Sequence, residues 1–407
     1  MIWSDRLWVV SLMSALTDLK WRLRWPRHSD ARRFSLFGIM SRHTMYKNLL
    51  AACAAVFSIH SAQAQPAAAV MPPLKVAVVH VTPVTEAGWV RQHENARLAL
   101  EKALGERVQT RAVENVAEGA DAERVIRDLA QQGYGLIFTP SFGYMEPTLK
   151  VARDFPQVRF ESVTGYKTAS NVAVANARYY EGRYLAGIAA GRLSASGVAG
   201  YVAGFPIPEV IQGINAFTLG MRSVRPGAVV RVIWLQSWFD PAREREAAMT
   251  LINQGADLLA FHTASTAVMR AAQERGKWAI AYHSDMRHVA PDAQVLAVTH
   301  QWGEYYTARA RAVLDGTWQS QALWGGVRQG MIRVGEFGPR VPESVRQEVL
   351  ARQQDLAAGR LPVFAAGAAA VLDASGAVMI AARSALSDEQ ILSMNALVQG
   401  VQGGLPR

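Results

Sequence analysis

The chain has 407 residues, half of them hydrophobic and 19% charged; this is typical of a folded protein large enough for two hydrophobic cores and excludes an extended disordered chain. Its net charge of +10 does not by itself indicate a nucleic-acid partner, because residues 1–64 alone carry nine Lys/Arg against three Asp/Glu, and no stripe of Arg/Lys interleaved with aromatic residues is found. With the single cysteine Cys53, the chain can form neither a disulfide framework nor a cysteine-based metal site.

An export signal is predicted near the start of the chain. After a short positive segment that begins at Met45, residues 49–59 form an apolar run of the length of a signal-peptide core, too short to span a bilayer. Ala62-Gln63-Ala64 has the small-x-small pattern of a cleavage site, so we expect a signal peptide over 45–64 and a mature N-terminus at Gln65. Residues 1–44 have no place in such a signal, and we interpret them as a spurious upstream segment before a start at Met45.

A second interpretation of the signal involves the cysteine. Leu50-Ala51-Ala52-Cys53 resembles a lipoprotein motif, which would anchor the chain through Cys53. Because only a few apolar residues precede Cys53, we favour cleavage and release into the periplasm over a lipid anchor.

Strands alternate with helices after a Pro/Ala-rich leader over 65–73. The first unit is the apolar run from Leu74 to His80, a polar turn that ends at Gly88, and a helical pattern with Trp89 in its first turn. Continuous apolar strands are typical of a parallel sheet covered on both faces. Further strands are predicted at 108–113, 135–139, 158–163, 172–176, 198–203, 229–235, 257–261, 278–282, 295–299 and 330–334. Helices are predicted over 121–132, 181–193 and 209–223. Two further helices are predicted to begin at 147 and at 241, and a last one after Trp302 is predicted to end at 314.

This number of strands is too high for one sheet, and the alternation predicts an α/β fold of two doubly wound parallel-sheet lobes joined by crossovers. We expect the first crossover near Asn176. Lobe 1 is predicted over 74–175 and 299–325, and lobe 2 over 176–298 and 326–407. The tail beyond 362 is Ala/Gly-rich and weakly periodic.

The residues that follow the predicted strands form a mostly aromatic set. Parallel strands bring their carboxyl ends to one edge, so we expect these side chains to face a cleft between the lobes. Aromatic faces there favour a flat ligand, and a carboxylate suits two hydrogen-bond donors at once. Any single aromatic residue could instead simply cover a sheet end. The predicted ligand-binding residues are Trp89, Phe142, Tyr166, Phe205, Trp238, Asp285 and Trp302.

Signs of a metal centre or of catalysis are weak. His262, His283 and His300 also follow strands, but no close pair on one helix turn supports a metal site, so we interpret them as polar cleft histidines. No nucleophile elbow, phosphate loop or dinucleotide-binding glycine pattern is found. We therefore expect a binding protein without cofactor or metal, and not an enzyme.

Five segments carry a resemblance to a known family: residues 114–121, 141–144, 181–187, 238–241 and 253–257. They resemble the basic membrane protein family, the purine-nucleoside-receptor-like substrate-binding proteins of ABC importers. The similarity runs from about Leu74 to Pro362. The resemblance implies a type I periplasmic-binding-protein fold that encloses a purine nucleobase or nucleoside between two lobes, with three crossovers.

The resemblance also implies roles for individual residues. Trp89 stands where family members usually have a stacking Phe, Phe205 lies near the opposite stacking position, and Asp285 matches an acidic residue that hydrogen-bonds the ligand. The polar residue that often follows the first aromatic is replaced by Val90, and a Lys often found near the late crossover is absent. These departures leave room for a free base such as adenine.

The sequence therefore predicts a periplasmic, monomeric substrate-binding protein whose partners are a purine-like ligand and an ABC transporter permease in the inner membrane, with no nucleic acid. An alternative is a ligand-sensing module of the same fold that feeds a receptor or regulator. A nucleoside hydrolase is a third possibility, but it would need an Asp cluster after the first strand.

Overall fold

The computed structural model describes residues 72–406. The predicted signal peptide, the lipoprotein motif at Cys53 and most of the leader over 65–73 lie outside the described residues. Within the described range the strands are β1 (Leu74–Val79), β2 (Val108–Val113), β3 (Leu136–Pro140), β4 (Arg159–Val163), β5 (Val172–Ala177), β6 (Val198–Ala203), β7 (Val229–Trp234), β8 (Leu258–His262), β9 (Trp278–His283), β10 (Gln294–His300), β11 (Ala322–Gly325), β12 (Ile332–Gly335), β13 (Val371–Leu372), β14 (Val378–Ile380) and β15 (Val401–Gln402).

The α-helices lie between these strands. They are α1 (Trp89–Leu104), α2 (Ala120–Gln131), α3 (Met145–Asp154), α4 (Tyr179–Leu193), α5 (Pro208–Val224), α6 (Pro241–Asn253), α7 (Ala267–Glu274), α8 (Gly303–Leu314), α9 (Glu343–Ala357) and α10 (Asp388–Leu392). No helix in residues 72–406 is both long enough and apolar enough to cross a membrane.

Two large sheets define two lobes. The lobe 1 sheet has six strands in the order β11-β5-β4-β3-β1-β2, and all of its pairs are parallel. The lobe 2 sheet has seven strands in the order β12-β10-β9-β8-β6-β7-β15. The chain passes between the lobes after β5, after β10 and after β11, which confirms the expected α/β architecture of two doubly wound lobes. The predicted segment boundaries of the lobes remain a proposal, which this strand order supports.

The buried strands explain why each sheet needs helices on both faces. In β3 and β8 every residue is buried, so neither face of these central strands meets water. Burial of such continuous apolar runs is the main favourable contribution to folding.

Helices α4 and α5 form a tightly packed pair behind the lobe 2 sheet. A Cβ added at Gly187 would lie 2.1 Å from the Phe217 carbonyl oxygen, and one added at Gly220 would lie 2.1 Å from the Tyr184 carbonyl oxygen. Only glycine allows the two backbones to approach this closely.

Three elements late in the chain differ from the sequence prediction. The predicted strand over 330–334 forms as β12, but it is antiparallel to β10 rather than parallel. Helix α9 was missed because only Val345, Val349 and Leu356 of its fifteen residues are buried, which leaves a weak apolar period. Strand β11 was missed because only Gly325 of its four residues is buried.

The tail beyond 362 is part of lobe 2. Strands β13 and β14 form a small antiparallel pair, and β15 adds a parallel strand to β7 at the sheet edge. The Asn215 side chain of α5 donates to the Ala396 carbonyl at 2.8 Å and accepts from the Val398 N–H at 2.8 Å. Local sequence periodicity could not show this, because the tail is held by partners almost two hundred residues away.

Candidate functional site

A cleft of about 470 Å³, a volume that includes space open to solvent, lies between the two lobes. Its walls come from segments that follow β1, β3 and β4 of lobe 1 and β6 to β9 of lobe 2. The lobe 1 wall includes Thr82, Trp89, Ser141, Phe142 and Thr164. The lobe 2 wall includes Ile207, Glu209, Trp238, His262 and His283. Open α/β folds bind ligands at this edge.

Trp89 is held in a fixed orientation in the lobe 1 wall. Its indole Nε1–H donates a hydrogen bond of 2.9 Å to the Pro140 carbonyl oxygen. Its ring lies 5.5 Å from the His283 ring and 5.1 Å from the His300 ring, measured between centroids. A large aromatic face that is already oriented costs little further ordering when a flat ligand binds.

The other predicted aromatics divide into two groups. Phe142 and Trp238 line the cleft. Tyr166 is 53% exposed and packs against Phe142 at 5.4 Å, and Phe205 packs edge-on against Trp238 at 4.9 Å. Neither Tyr166 nor Phe205 is among the cleft-lining residues, so the predicted sandwich of a base between Trp89 and Phe205 remains a prediction.

Asp285 lies in lobe 2 away from the cleft, and Trp302 lies at the boundary between the lobes. The Asp285 carboxylate accepts hydrogen bonds from Arg287 and from Gln294, and it is not among the cleft-lining residues. Trp302 is 1% exposed, donates to His300 Nδ1 at 2.5 Å and stacks on His93. Their predicted roles in binding also remain predictions.

Four polar side chains of the cleft carry buried atoms that lack a hydrogen-bond partner among the described residues. They are the hydroxyl of Thr164, Oε2 of Glu209, the indole N–H of Trp238 and Nδ1 of His262. Buried polar groups are almost always hydrogen-bonded, since an unmet one costs free energy. Atoms of this kind in a cleft are where a ligand's polar groups would be expected.

Glu209 is the acidic side chain of this wall, and sequence reasoning missed it. It lies in the first turn of α5. Burial raises its pKa to about 8, against smaller lowering effects of Asn176 and Arg183. The Arg183 guanidinium is itself buried; it donates to the Phe261 carbonyl oxygen at 2.6 Å and lies 3.2 Å from the Tyr282 ring centroid.

The histidines predicted to be polar cleft residues are brought together. His262 and His283 line the cleft, and His283 Nδ1 lies 2.9 Å from His300 Nε2. Burial lowers the pKa values of His262 and His283 well below the ordinary value, and that of His300 to about 3. All three rings are therefore neutral near pH 7. Within residues 72–406 no group of three or more His, Cys, Asp or Glu is placed to hold a metal ion.

Two cleft residues have an unusual backbone conformation. Thr164 has φ of 68° and His283 has φ of 69°, a region that non-glycine residues rarely adopt. Such strain persists only where the surrounding structure enforces it, and it is concentrated at functional sites. Thr164 directly follows β4, so the strand-end rule that selected Phe142 could also have found it.

The two lobes touch across the cleft through the turn before α1. The Gly88 N–H donates to Ser284 Oγ at 3.0 Å, and the Gln92 side chain donates to the same oxygen at 2.9 Å. A Cβ at Gly88, whose φ is +96°, would lie 2.6 Å from the Ala264 carbonyl oxygen. The lobes are therefore closed over the cleft.

Comparison with known proteins agrees with this architecture. Residues 74–361 match the family model described as ABC transporter substrate-binding protein PnrA-like, or Bmp. A purine-binding protein of Brucella abortus (strain 2308) is 46% identical over 334 residues, which are 82% of this chain and 94% of that protein. A protein of Haloferax volcanii whose name describes an ABC transporter glucose-binding protein is 36% identical over 334 residues, covering 82% of this chain and 81% of that protein.

Solved structures of lower identity share the fold. An ABC transporter solute-binding protein from Aeropyrum pernix K1 has a TM-score of 0.61 at 18% identity, over 70% of this chain and 92% of that one. A solute-binding protein from Conexibacter woesei has a TM-score of 0.57 at 23% identity, over 71% of this chain and 97% of that one. The fold is the type I periplasmic-binding-protein fold, and the chain belongs to the Bmp family of PnrA-like ABC transporter substrate-binding proteins.

Proposed function

We propose that the protein binds a purine nucleobase or nucleoside between its lobes and presents it to an ABC transporter permease. The observation that carries this proposal is the combination, in one closed cleft, of oriented aromatic faces with unpartnered polar atoms. A purine offers a flat π-system to stack on Trp89 and several donors and acceptors along its edge. The name of the Brucella relative supports the same ligand class.

A sugar is the competing ligand class, because the Haloferax relative is named for glucose. A sugar ring carries hydroxyl groups on all sides, and each would need a polar partner once buried. The cleft instead has Val81, Val90 and Ile207 beside its aromatic walls. This apolar lining favours the purine.

Binding should be tested directly with purified protein that begins at Gln65. We expect native mass spectrometry to detect a co-purified small molecule of purine mass, and titration calorimetry to show saturable binding of adenine or adenosine but not of glucose. Saturable binding of glucose with no response to any purine base or nucleoside would contradict the proposal.

We also propose that the protein acts in the periplasm after removal of residues 45–64. The sequence pattern around Ala62-Gln63-Ala64 supports this. Mass analysis of the periplasmic fraction should give an N-terminus at Gln65. An intact Met45 in that fraction would contradict the cleavage, and an acylated Cys53 would support the anchored alternative.

A further inference from the structure

The carboxyl group of Glu209 is the polar feature of the cleft whose chemistry is most specific. Its side chain is 9% exposed and lines the cleft, and Oε2 has no hydrogen-bond partner among the described residues. A buried carboxyl group with an unused hydrogen-bonding position that faces a ligand cavity is available to recognise the ligand.

Glu209 also lacks a paired positive charge within the described part of the chain. Among the described residues, the basic side-chain atom that lies within 4.0 Å of the Glu209 carboxyl is His262 Nε2, which is 3.6 Å from Oε1. Burial keeps the His262 ring neutral by lowering its pKa. The Arg183 guanidinium makes no ion pair with Glu209 within 4.0 Å. Its Nη2 donates to the Phe261 carbonyl and the group lies over the Tyr282 ring, while its Nε and Nη1 have no hydrogen-bond partner among the described residues; its charge lowers the pKa of Glu209 by less than burial raises it.

An ionised Glu209 would therefore be a buried charge without an ion-pair partner, which is strongly unfavourable. The remaining titratable groups that face it are tyrosines, whose neutral forms are favoured by burial. Burial likewise raises the pKa of Glu209 to about 8. The titratable groups around the carboxyl come from α4, β6, β8 and β9 and are Tyr179, Arg183, Tyr201, His262 and Tyr282.

We propose that Glu209 binds the ligand as a neutral carboxyl group and pairs with a purine edge on which a ring-nitrogen acceptor stands beside an amino donor, as in adenine. This inference rests on the proposed function. A neutral carboxyl offers an O–H donor beside a carbonyl acceptor, whereas a carboxylate offers acceptors only. A carboxylate would instead suit two adjacent donors, such as the ring N–H and amino group of guanine. The protonation of Glu209 thus selects the adenine type of edge.

The substitutions Glu209→Ala and Glu209→Gln test the protonation state. Glu209→Ala removes both hydrogen bonds and should weaken adenine binding about tenfold or more at pH 7. An amide carries a donor beside an acceptor as the neutral acid does, so Glu209→Gln should recover most of the affinity that Glu209→Ala loses. Glu181→Gln is a matched control, because Glu181 is also a partly buried carboxyl with a raised pKa but accepts from the Val327 N–H outside the cleft.

The pH dependence of adenine affinity gives a second measurement. If only the neutral acid binds, affinity follows the protonated fraction, and wild-type binding should weaken about tenfold between pH 7 and pH 9. Glu209→Gln cannot ionise and should show a flat profile there, while Glu181→Gln should follow the wild type. The melting temperatures of the ligand-free variants check that each one folds.

The possible outcomes separate this inference from the proposed function. Wild-type protein that binds no purine contradicts the proposed function. Wild-type protein that binds adenine, with Glu209→Gln as weak as Glu209→Ala at pH 7, shows that a carboxylate is needed and overturns the inference. Glu209→Ala with wild-type affinity, or a wild-type pH profile as flat as that of Glu209→Gln, overturns it as well.

Discussion

The backbone N–H of Gly88 donates a hydrogen bond of 3.0 Å to the hydroxyl of Ser284, 196 residues further along the chain, and so connects the turn before α1 in lobe 1 to the end of β9 in lobe 2. Gln92 donates to the same hydroxyl. Exposed ion pairs such as that of Arg270 with Glu86, at 2.8 Å, also connect the two lobes, but exposed ion pairs contribute little free energy of stabilisation. The buried serine hydroxyl is the stronger interlobe contact.

Ser284→Ala should therefore destabilise the closed form. A ligand favours closure only through contacts made in that form, and the two hydrogen bonds that Ser284 accepts contribute about 1 kcal/mol each. We expect purine affinity to fall roughly thirtyfold by calorimetry, with an unchanged melting temperature of the ligand-free protein. Ser223→Ala, which removes a hydroxyl bound only within α5, is the control and should bind normally.

Small-angle scattering completes that test. Wild-type protein should have a smaller radius of gyration with purine than without it, because the ligand shifts molecules in solution from open forms to the closed form. Ser284→Ala should need more ligand to reach the same compact profile. An identical profile with and without saturating ligand would count against domain closure.

Two tryptophans should separate binding from stability. Trp89 lines the cleft, so Trp89→Ala should weaken purine binding by ~2 kcal/mol or more, about thirtyfold. Trp302 is fully buried against His93 and His300, so Trp302→Ala should cost ~3–5 kcal/mol of unfolding free energy. The two variants are compared by calorimetric titration and urea unfolding. A large loss of affinity in a stable Trp302→Ala protein would instead support the role in binding predicted for Trp302 from the sequence.

Asp285 gives a test of the sequence-based role against the contacts seen in the structure. Its carboxylate is already engaged by Arg287 and by Gln294, whose side chain also donates to the Glu336 carbonyl. From these contacts we expect Asp285→Ala to lower the unfolding free energy by ~1–2 kcal/mol and to change purine affinity less than threefold. A direct hydrogen bond to the ligand would instead cost at least tenfold in affinity with little change in melting temperature.

The buried histidines predict a loss of stability in acid. Burial lowers the pKa of His93, His262 and His283 well below the usual value and that of His300 to about 3, whereas the unfolded chain takes up these protons below about pH 6.5. The stabilising effect is therefore complete above pH 6.5 and is lost as the pH falls toward 3, by up to roughly 1.4 kcal/mol per pH unit for each histidine. The raised pKa values of Glu161, Glu181, Glu209 and Glu244 act in the opposite direction, whereas the pKa of Glu94, lowered to about 2, adds to the loss of stability in acid. The share of the histidines is therefore measured by comparing variants.

Urea unfolding at pH 7, 6, 5 and 4 measures this effect. His300→Asn should reduce the slope of unfolding free energy against pH by the part that the His300 ring contributes. His288→Asn removes a side chain that is 54% exposed and should retain the wild-type slope. Equal slopes for the wild type and His300→Asn would show that His300 does not contribute to the acid sensitivity.

The sequence alone determined the elements and the edge at which the site forms. Apolar runs such as those of β3 and β8 are local patterns, and the rule that ligands bind at the carboxyl ends of parallel strands needs no coordinates. This is why Trp89, Phe142 and Trp238, chosen only because they follow strands, line the cleft. Late elements with few buried residues, such as α9, were beyond the same reasoning.

Only the tertiary structure decided which strand-end residues meet. The cleft forms over central strands of the two sheets, and strand order depends on pairings between distant segments. Trp302 follows β10, next to the edge strand β12, and is packed into the core instead. Glu209, in the first turn of α5, lies in the cleft beside His262 at the end of β8. Such contacts are set by packing across more than twenty residues of sequence separation, which no local pattern encodes.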